Sequence, residues 1–405
     1  MARNLVLLTH CYPHDSGDVN FVEAEIWDLS KTFENVYVWT LTPSRVRTVD
    51  VPPNVVLAGS LLDAGMTSPT LLLRALRHFP AVTYLMLDEL RRRRGRLRFK
   101  RLVRAVAVAV VGGARLSQWL GAKGLSGIGT SIYSFWGTDC AFALLRLNDR
   151  TSRVVVRLHG YDIYEERVGY LPFRGKLFDR ADLLLTASAD GASYLARKYS
   201  NVALPPVAVS RLGTPDRGIG PGAPAGLVRV VSCSSLIGLK RVGLILDVVN
   251  TLAKTRPVHW VHFGDGPLRS MLLTELARKA PTLKVEMRGQ VSRAEIFQYY
   301  KSTEISFFVN LSTTEGLPVS IMEAMSFGIP ILATDVGGTS EIVGRHLLSG
   351  LLVPVSAGVD EVVKVADELL DLTGQWDPRR TWDESCNADR NGRTTAAMLA
   401  GSDYV

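Results

Sequence analysis

Two glutamates, Glu315 and Glu323, stand eight positions apart in the stretch STTEGLPVSIMEAMSFGIPILATDVGG, residues 312–338, which is otherwise small and apolar. A carboxylate taken into such surroundings needs hydrogen-bond partners, or its pKa shifts. Two adjacent ribose hydroxyls would suit the second of them. The apolar run EISFFVNL (304–311) predicts a buried strand, and Ser312, Thr313 and Thr314 end it. Pro318 suits a first helical position and Gly328 a helix exit; IPILAT then predicts another strand. Glu315 and Gly316 therefore fall in a loop over the carboxyl end of a strand, where open α/β sheets bind ligands. The helix that follows offers unpaired N–H groups suited to a phosphate. Singly, these features have plainer readings, as a solvated helix glutamate and a common Gly-Leu-Pro turn. Together they point to a nucleotide-sugar site.

The elements that must position these acids belong to a chain of 405 residues, which at about 150 residues per domain predicts two or three domains. High apolar content with ordinary charge places it among globular rather than disordered chains. The start, MARNLVLLTHCYPHD, reads as a first strand and not a signal peptide. No run approaches the roughly 20 apolar residues of a membrane span; the longest, Leu102–Ala114, is short and contains Arg104. Cys11, Cys140, Cys233 and Cys386 are scattered without a CxxC pair, which argues against a disulfide framework or a zinc site and for a reducing cytoplasm. The seven histidines show no metal spacing, and His259 and His262 read as structural.

The net charge of +8 is unevenly spread, because RRRRGRLRFKRLVR (Arg91–Arg104) holds nine basic residues and no acid. It reads as a nucleic-acid arm, as a patch on an anionic membrane surface with Leu97, Phe99, Leu102 and Val103 interleaved, or as a solvated helix face. The membrane reading is preferred, since the site chemistry calls for a membrane-borne acceptor rather than nucleic acid.

Strands and helices alternate along the chain: strand 4–10, helix 20–33, strand 36–42, a long helical stretch over Ser68–Leu120, then strands at 127–136, 153–160 and 181–188. The loop CYPHDSGDV after the first strand contains Gly17 but no GxGxxG fingerprint. The Gly/Pro-rich segment 213–226 reads as an interdomain linker. The expected organisation is an N-terminal Rossmann-like domain 1–212, the linker, a nucleotide-sugar-binding domain 227–376, and a tail 377–405 packing back on the N-terminal domain.

The Glu315–Glu323 element in EGLPVSIMEAMSFGIPILATDVGGTSEIV, with SSLIGLKRVGLI (234–245), HFGDGPL (262–268) and RGQVSRAEIFQYY (288–300), resembles the family 4 retaining glycosyltransferases of polysaccharide biosynthesis. In the N-terminal half, RLHGYDIYEERVGYLPFRGKLFDRADLLLTASADGASYL is similar to the family's acceptor side. The resemblance implies an α/β chain with two facing Rossmann-like domains separated by a cleft, the GT-B fold. It implies catalytic roles for His159, Lys240 and Glu315: Lys240 neutralising the departing diphosphate, Glu315 facing the donor sugar, and His159 touching the transferred sugar across the cleft. Glu323 would hold the ribose, the backbone of Gly316 and Leu317 would meet sugar and diphosphate, Gly289 to Val291 would line the base, and Gly17 would lie near the diphosphate. Ser235 stands where the family's arginine partner of the lysine is expected, leaving Arg241 or Arg211 to supply a second cation. The implied reaction moves a sugar from a UDP- or GDP-sugar to a polysaccharide or lipid-linked acceptor, with no cofactor and no metal, at the inner face of the membrane. The alternatives are a GT-B-fold nucleotide-sugar epimerase and a nucleic-acid-binding protein acting through residues 91–104.

Overall fold

Short runs of β-branched and aromatic residues, separated by helical segments, assemble into two parallel sheets, as alternating β and α elements require. The computed structural model describes residues 2–14, 17–44, 46, 49–66, 68–92, 98–147 and 151–401. Two units emerge, residues 1–211 with 389–405, and residues 212–388.

The first unit holds β1 (Asn4–Thr9), β2 (Asn35–Thr40), β3 (Val55–Ser60), β4 (Thr130–Ser134), β5 (Arg153–Leu158), β6 (Leu183–Thr186) and β7 (Val207–Val209). Their order is β3-β2-β1-β4-β5-β6-β7, all parallel. Strand order reverses between β1 and β4, which makes the loops after these strands the ligand-facing crevice of this sheet. Strands β3 and β7 were not legible in the sequence, β3 because three of its residues are only half-buried and β7 because it spans three residues.

The second unit holds β8 (Val228–Cys233), β9 (Val258–Phe263), β10 (Leu283–Met287), β11 (Phe307–Asn310), β12 (Ile331–Thr334) and β13 (Gly350–Val353) in the order β10-β9-β8-β11-β12-β13. Here the reversal lies between β8 and β11. The core beneath is Val230, Trp260, Phe307, Val309 and Leu332 from the strands with Ile245, Val249 and Leu369 from the helices.

Four expectations change. The stretch Ser68–Leu120 divides into three helices, Ser68–Leu76, Phe79–Arg92 and Phe99–Lys123. The last of these is, by length and composition, long enough and apolar enough to cross a membrane, contrary to the reading from Leu102–Ala114 alone. Its buried residues include Leu102, Ala105–Val110, Leu116 and Leu120, so it packs as a core helix of its unit. Gly113 lets it approach Ala143 and Arg146, where a methyl group would clash with the backbone.

In the basic stretch, residues 93–97, Leu97 among them, lie outside the described residues. Of the rest, Leu102 is buried, Arg92 pairs with Asp88 and Asp179, and Arg101 donates to the carbonyls of Val168 and Tyr170. The supposed linker 213–226 contains no helix or strand, yet it is bonded into the second unit: Thr214 N–H to the Cys386 carbonyl, Gly220 N–H to Phe327, and Ile305 N–H to the Gly222 carbonyl. Gly220 fits there because a Cβ would press on the Tyr300 carbonyl oxygen at 2.8 Å. The tail also divides. Helix Pro378–Ser385 stays with the second unit, its Trp382 indole donating to Thr214 Oγ1 at 2.7 Å. From Asp389 the chain joins the first unit, where Thr395 Oγ1 meets Ser210 Oγ at 2.7 Å and Ser131 Oγ donates to the Leu399 carbonyl.

Candidate active site

In the second unit the loops after β8 and β11 flank the reversal of strand order. The first carries Lys240 at the end of the short turn Gly238–Lys240, and the second carries Glu315. The loops are laced together. Thr313 N–H donates to the Leu239 carbonyl at 2.9 Å, and Lys240 Nζ meets Glu315 Oε1 at 2.6 Å. Asn310 Nδ2 donates to the same oxygen at 3.2 Å. The lysine and glutamate side chains are 23% and 11% exposed, so the pair is shielded but reachable.

A third loop closes on the second. Gly338 N–H donates to the Gly316 carbonyl at 2.7 Å. Gly337 has φ +55°, and a Cβ there would overlap the Glu315 carbonyl oxygen. A glycine is therefore required for the loop bearing Glu315 to sit where it does. Leu317 is buried, and Pro318 is the residue just before helix Val319–Ser326, one place earlier than its sequence suggests.

Glu323 lies inside that helix, 7% exposed. Arg293, the first residue of helix Arg293–Ser302, donates its Nε–H to Glu323 Oε1. Burial pushes the Glu323 carboxyl above its usual value, against the pull of Arg293. Cys233, the last residue of β8, lies between these groups. Burial, with the Glu323 charge adding, pushes its thiol up to about 12, opposed by Lys240 and Arg293. Lys240, Glu323 and Arg293 are thus all within electrostatic reach of one strand end. Sequence reasoning did not anticipate Arg293, because its pairing spans 30 residues and two helices.

Gly289 and Val291 sit beyond β10. Gly289 is buried with φ +70°, and its carbonyl accepts the Gly264 N–H at 2.8 Å, so the loops after β9 and β10 run side by side. Arg241 is placed differently from expectation. Its Nε and Nη1 donate to the carbonyls of Leu311 and Val355 at 2.6 and 2.7 Å, which makes it a brace for the Glu315 loop rather than a cation facing the crevice. Ser235 is exposed, and Arg211 belongs to the first unit.

In the first unit, the loops after β1, β4 and β5 hold an aromatic cluster. His159 follows β5 directly, 6% exposed. Its backbone N–H donates to Asp162 Oδ1 at 2.6 Å, and its Nε2 lies 2.9 Å from the Phe135 carbonyl oxygen. That carbonyl can only accept, so Nε2 carries the proton. Burial, with Arg157 adding, lowers the imidazole pKa to about 3, so the ring is neutral. Asp162 also accepts the Gly137 N–H at 2.5 Å and, chiefly through burial, is raised to about 6. Trp136 packs on His159 at 4.5 Å between ring centroids and stacks with His10 at 5.4 Å.

Gly17 is the exposed glycine of the β1 loop, with φ +59°; a Cβ there would lie 3.1 Å from Cys11 Sγ. Its neighbour Asp18 was not singled out from the sequence, yet it organises the loop. Its carboxylate accepts the N–H groups of His10, Cys11 and Tyr12 and the Trp136 indole N–H. Among the described residues no group of three or more His, Cys, Asp or Glu side chains is arranged to hold a metal ion.

The chain thus holds two parallel sheets, each with its own reversal of strand order, and a lysine–glutamate pair over the reversal of the second. Residues 228–372 match the family described as Glycosyl transferases group 1. A curated relative is the putative colanic acid biosynthesis glycosyltransferase WcaL of Salmonella typhimurium, 28% identical over 229 residues, covering 53% of this chain and 54% of the relative. The chain spans about half the length of the curated relatives it matches first. Solved structures share the fold over nearly the whole chain. The lipopolysaccharide outer core galactosyltransferase WaaB, apo form, has a TM-score of 0.64 at 14% identity, covering 98% of this chain and 99% of its own. A structure described as trehalose-6-phosphate from E. coli bound with UDP-2-fluoro glucose has a TM-score of 0.68 at 13% identity, covering 98% and 99%.

Proposed function

We propose that this chain is a retaining glycosyltransferase that moves a sugar from a UDP- or GDP-sugar to a polysaccharide or lipid-linked acceptor, without a metal ion. The observation that carries this reading is the Lys240–Glu315 pair, 2.6 Å apart over the strand reversal of the second unit, with Glu323 buried in the following helix. Lys240 and the N-terminus of helix Val319–Ser326 would meet the diphosphate, doing the electrostatic work that a bound cation does in other transferases. Glu323 would accept from the ribose hydroxyls and Glu315 would face the sugar. In the reaction the bond from the anomeric carbon to the diphosphate oxygen breaks, the acceptor oxygen bonds to that carbon on the same face, and the acceptor's proton passes to the departing diphosphate. The names of the relatives support polysaccharide assembly, and the UDP-sugar bound in one fold neighbour supports UDP as the carrier.

The test is release of nucleoside diphosphate in EDTA. Release that requires an acceptor supports a transferase; interconversion of the donor sugar without release would favour the epimerase. Loss of turnover in chelator that manganese restores would sink metal independence.

We also propose attachment to an anionic membrane surface, at the cytoplasmic face. Helices Ser68–Leu76 and Phe79–Arg92 support it, exposing Leu73, Leu76, Phe79, Leu87 and Leu90 alongside Arg74, Arg77 and Arg91. Apolar groups flanked by arginines are the features of an interfacial helix. Leu73→Glu with Phe79→Glu should abolish co-sedimentation with phosphatidylglycerol vesicles while leaving UDP binding intact; unchanged sedimentation refutes the attachment.

A further inference from the structure

The first unit contains a cavity of about 640 Å³ lined by Arg98, Arg101, Arg104 and Arg167. Arg98 immediately precedes helix Phe99–Lys123, and Arg101 and Arg104 follow at three-residue spacing, which places all three on one face. Arg167 comes from the facing segment. The floor is apolar, from Ala105 and the buried Phe142. At one side stands Tyr161, 58% exposed and two residues past His159, so the cavity reaches the carboxyl end of β5.

The wall opposite the helix is fixed before any ligand arrives. Arg101 bonds the carbonyls of Val168 and Tyr170, and the Tyr170 hydroxyl donates to Glu89 at 2.8 Å. Gly169 has φ +76°, and a Cβ there would come within 3.3 Å of the Arg98 guanidinium carbon; the glycine leaves room for that group to lie against the backbone. Of the two acids in the lining, one is held by hydrogen bonds and the other lies beside a histidine ring. Glu166 bonds Lys198 Nζ and the Tyr194 hydroxyl, both at 2.6 Å, and Asp139 lies 3.7 Å from His10 Nε2. Arg98 and Arg104 have no hydrogen-bond or ion-pair partner for their side chains among the described residues.

Like charges gathered in a concavity repel one another unless an anion joins them. Guanidinium forks match phosphoryl oxygens two at a time. We propose that this cavity binds a phosphoryl group of the acceptor, a phosphate or diphosphate carried beside the hydroxyl that receives the sugar. The proposal rests on the transferase reading for the word acceptor; the anion site itself stands on the geometry. The apolar floor and the exposed Phe99 suit an acceptor whose phosphoryl group is attached to a hydrocarbon chain. The shared chemistry is the phosphoryl group, whether borne by a lipid or by a soluble saccharide.

The experiment is calorimetric titration of the full chain with geranyl diphosphate, inorganic diphosphate, geraniol and, separately, UDP. The variants are Arg98→Gln with Arg104→Gln, both exposed side chains whose removal leaves the core intact, and Lys240→Met. The expected result is that the arginine double variant binds geranyl diphosphate at least tenfold more weakly and UDP unchanged, while Lys240→Met does the reverse. Tighter binding of geranyl than of inorganic diphosphate assigns the site to a lipid-borne group, and equal binding assigns it to the phosphoryl group alone. Geranyl diphosphate affinity within twofold of the parent in the arginine variant, its loss in Lys240→Met, or equal binding of geraniol overturns the proposal. Failure of the parent to bind UDP would count against the transferase reading while leaving the phosphoryl site standing.

Discussion

Lys240 and Glu315 form an ion pair; on the proposed reading a diphosphate enters it, which would make their energies non-additive. In Lys240→Met the nucleotide loses a charge-assisted hydrogen bond, worth about 1.5–3 kcal/mol. The substitution also strips Glu315 of its cation, leaving a carboxylate 11% exposed that keeps the Asn310 amide at 3.2 Å. Two like charges about 5 Å apart at an effective dielectric of about 20 repel by about 3 kcal/mol before screening. The single variant therefore suffers twice, once from the lost bond and once from the bare carboxylate. Glu315→Gln removes the second effect. The double variant Lys240→Met/Glu315→Gln should accordingly bind UDP more tightly than Lys240→Met alone, by about 1–2 kcal/mol once screening is allowed for. Calorimetric titration of UDP into the parent, the two single variants and the double variant closes the cycle. Strict additivity, or parental affinity in Lys240→Met, would refute the placement of the diphosphate beside this pair.

If Glu323 holds the ribose as proposed, Glu323→Gln should weaken UDP binding by about 1.5–3 kcal/mol, the range for hydrogen bonds to a charged group; calorimetry reads it. Because burial raises the Glu323 pKa in the folded chain, the stability that group contributes is full at acid pH and falls as pH rises through the folded value. The glutamine variant should therefore gain stability relative to the parent as pH rises above the usual glutamate value, measured by urea melts across a pH series. His159 has the opposite sign: with its pKa lowered to about 3, the unfolded chain binds the proton first, so stability is lost as pH falls from the unfolded value of 6.5 toward 3. His159→Asn should flatten that acid arm, and the parent's rate profile should show no ionisation from this ring near neutrality. Gly337→Ala forces a methyl into the Glu315 carbonyl at positive φ and should cost about 1–3 kcal/mol of stability, with UDP affinity falling as the loop moves; thermal melts and titration check both.

The sequence by itself determined the local unit around Glu315 and Glu323. The apolar run before Ser312 became β11, the helix began within one residue of Pro318, and Gly328 took the left-handed conformation, φ +79°, at the helix exit. Such features are set by neighbours a few residues apart, where side-chain periodicity, the fixed φ of proline and the freedom of glycine act directly. The strand ending at His159 was legible for the same reason. What only the tertiary structure decided are the pairings across the sheet. Lys240 with Glu315, Arg293 with Glu323 and Asp18 with Trp136 are separated by 75, 30 and 118 residues. No periodicity encodes them; they arise because β8 lies beside β11 and β1 beside β4, and strand order is fixed by which apolar faces can be covered together. Arg241 shows the difference most clearly. Its position beside Lys240 suggested a second cation for the diphosphate, but its side chain could instead satisfy the carbonyls of Leu311 and Val355, groups 70 and 114 residues away in the chain. The Gly/Pro-rich composition of residues 213–226 likewise suggested a free linker, whereas the backbone groups of that segment have partners at Phe327, Ile305 and Cys386, which only the folded second unit brings within reach.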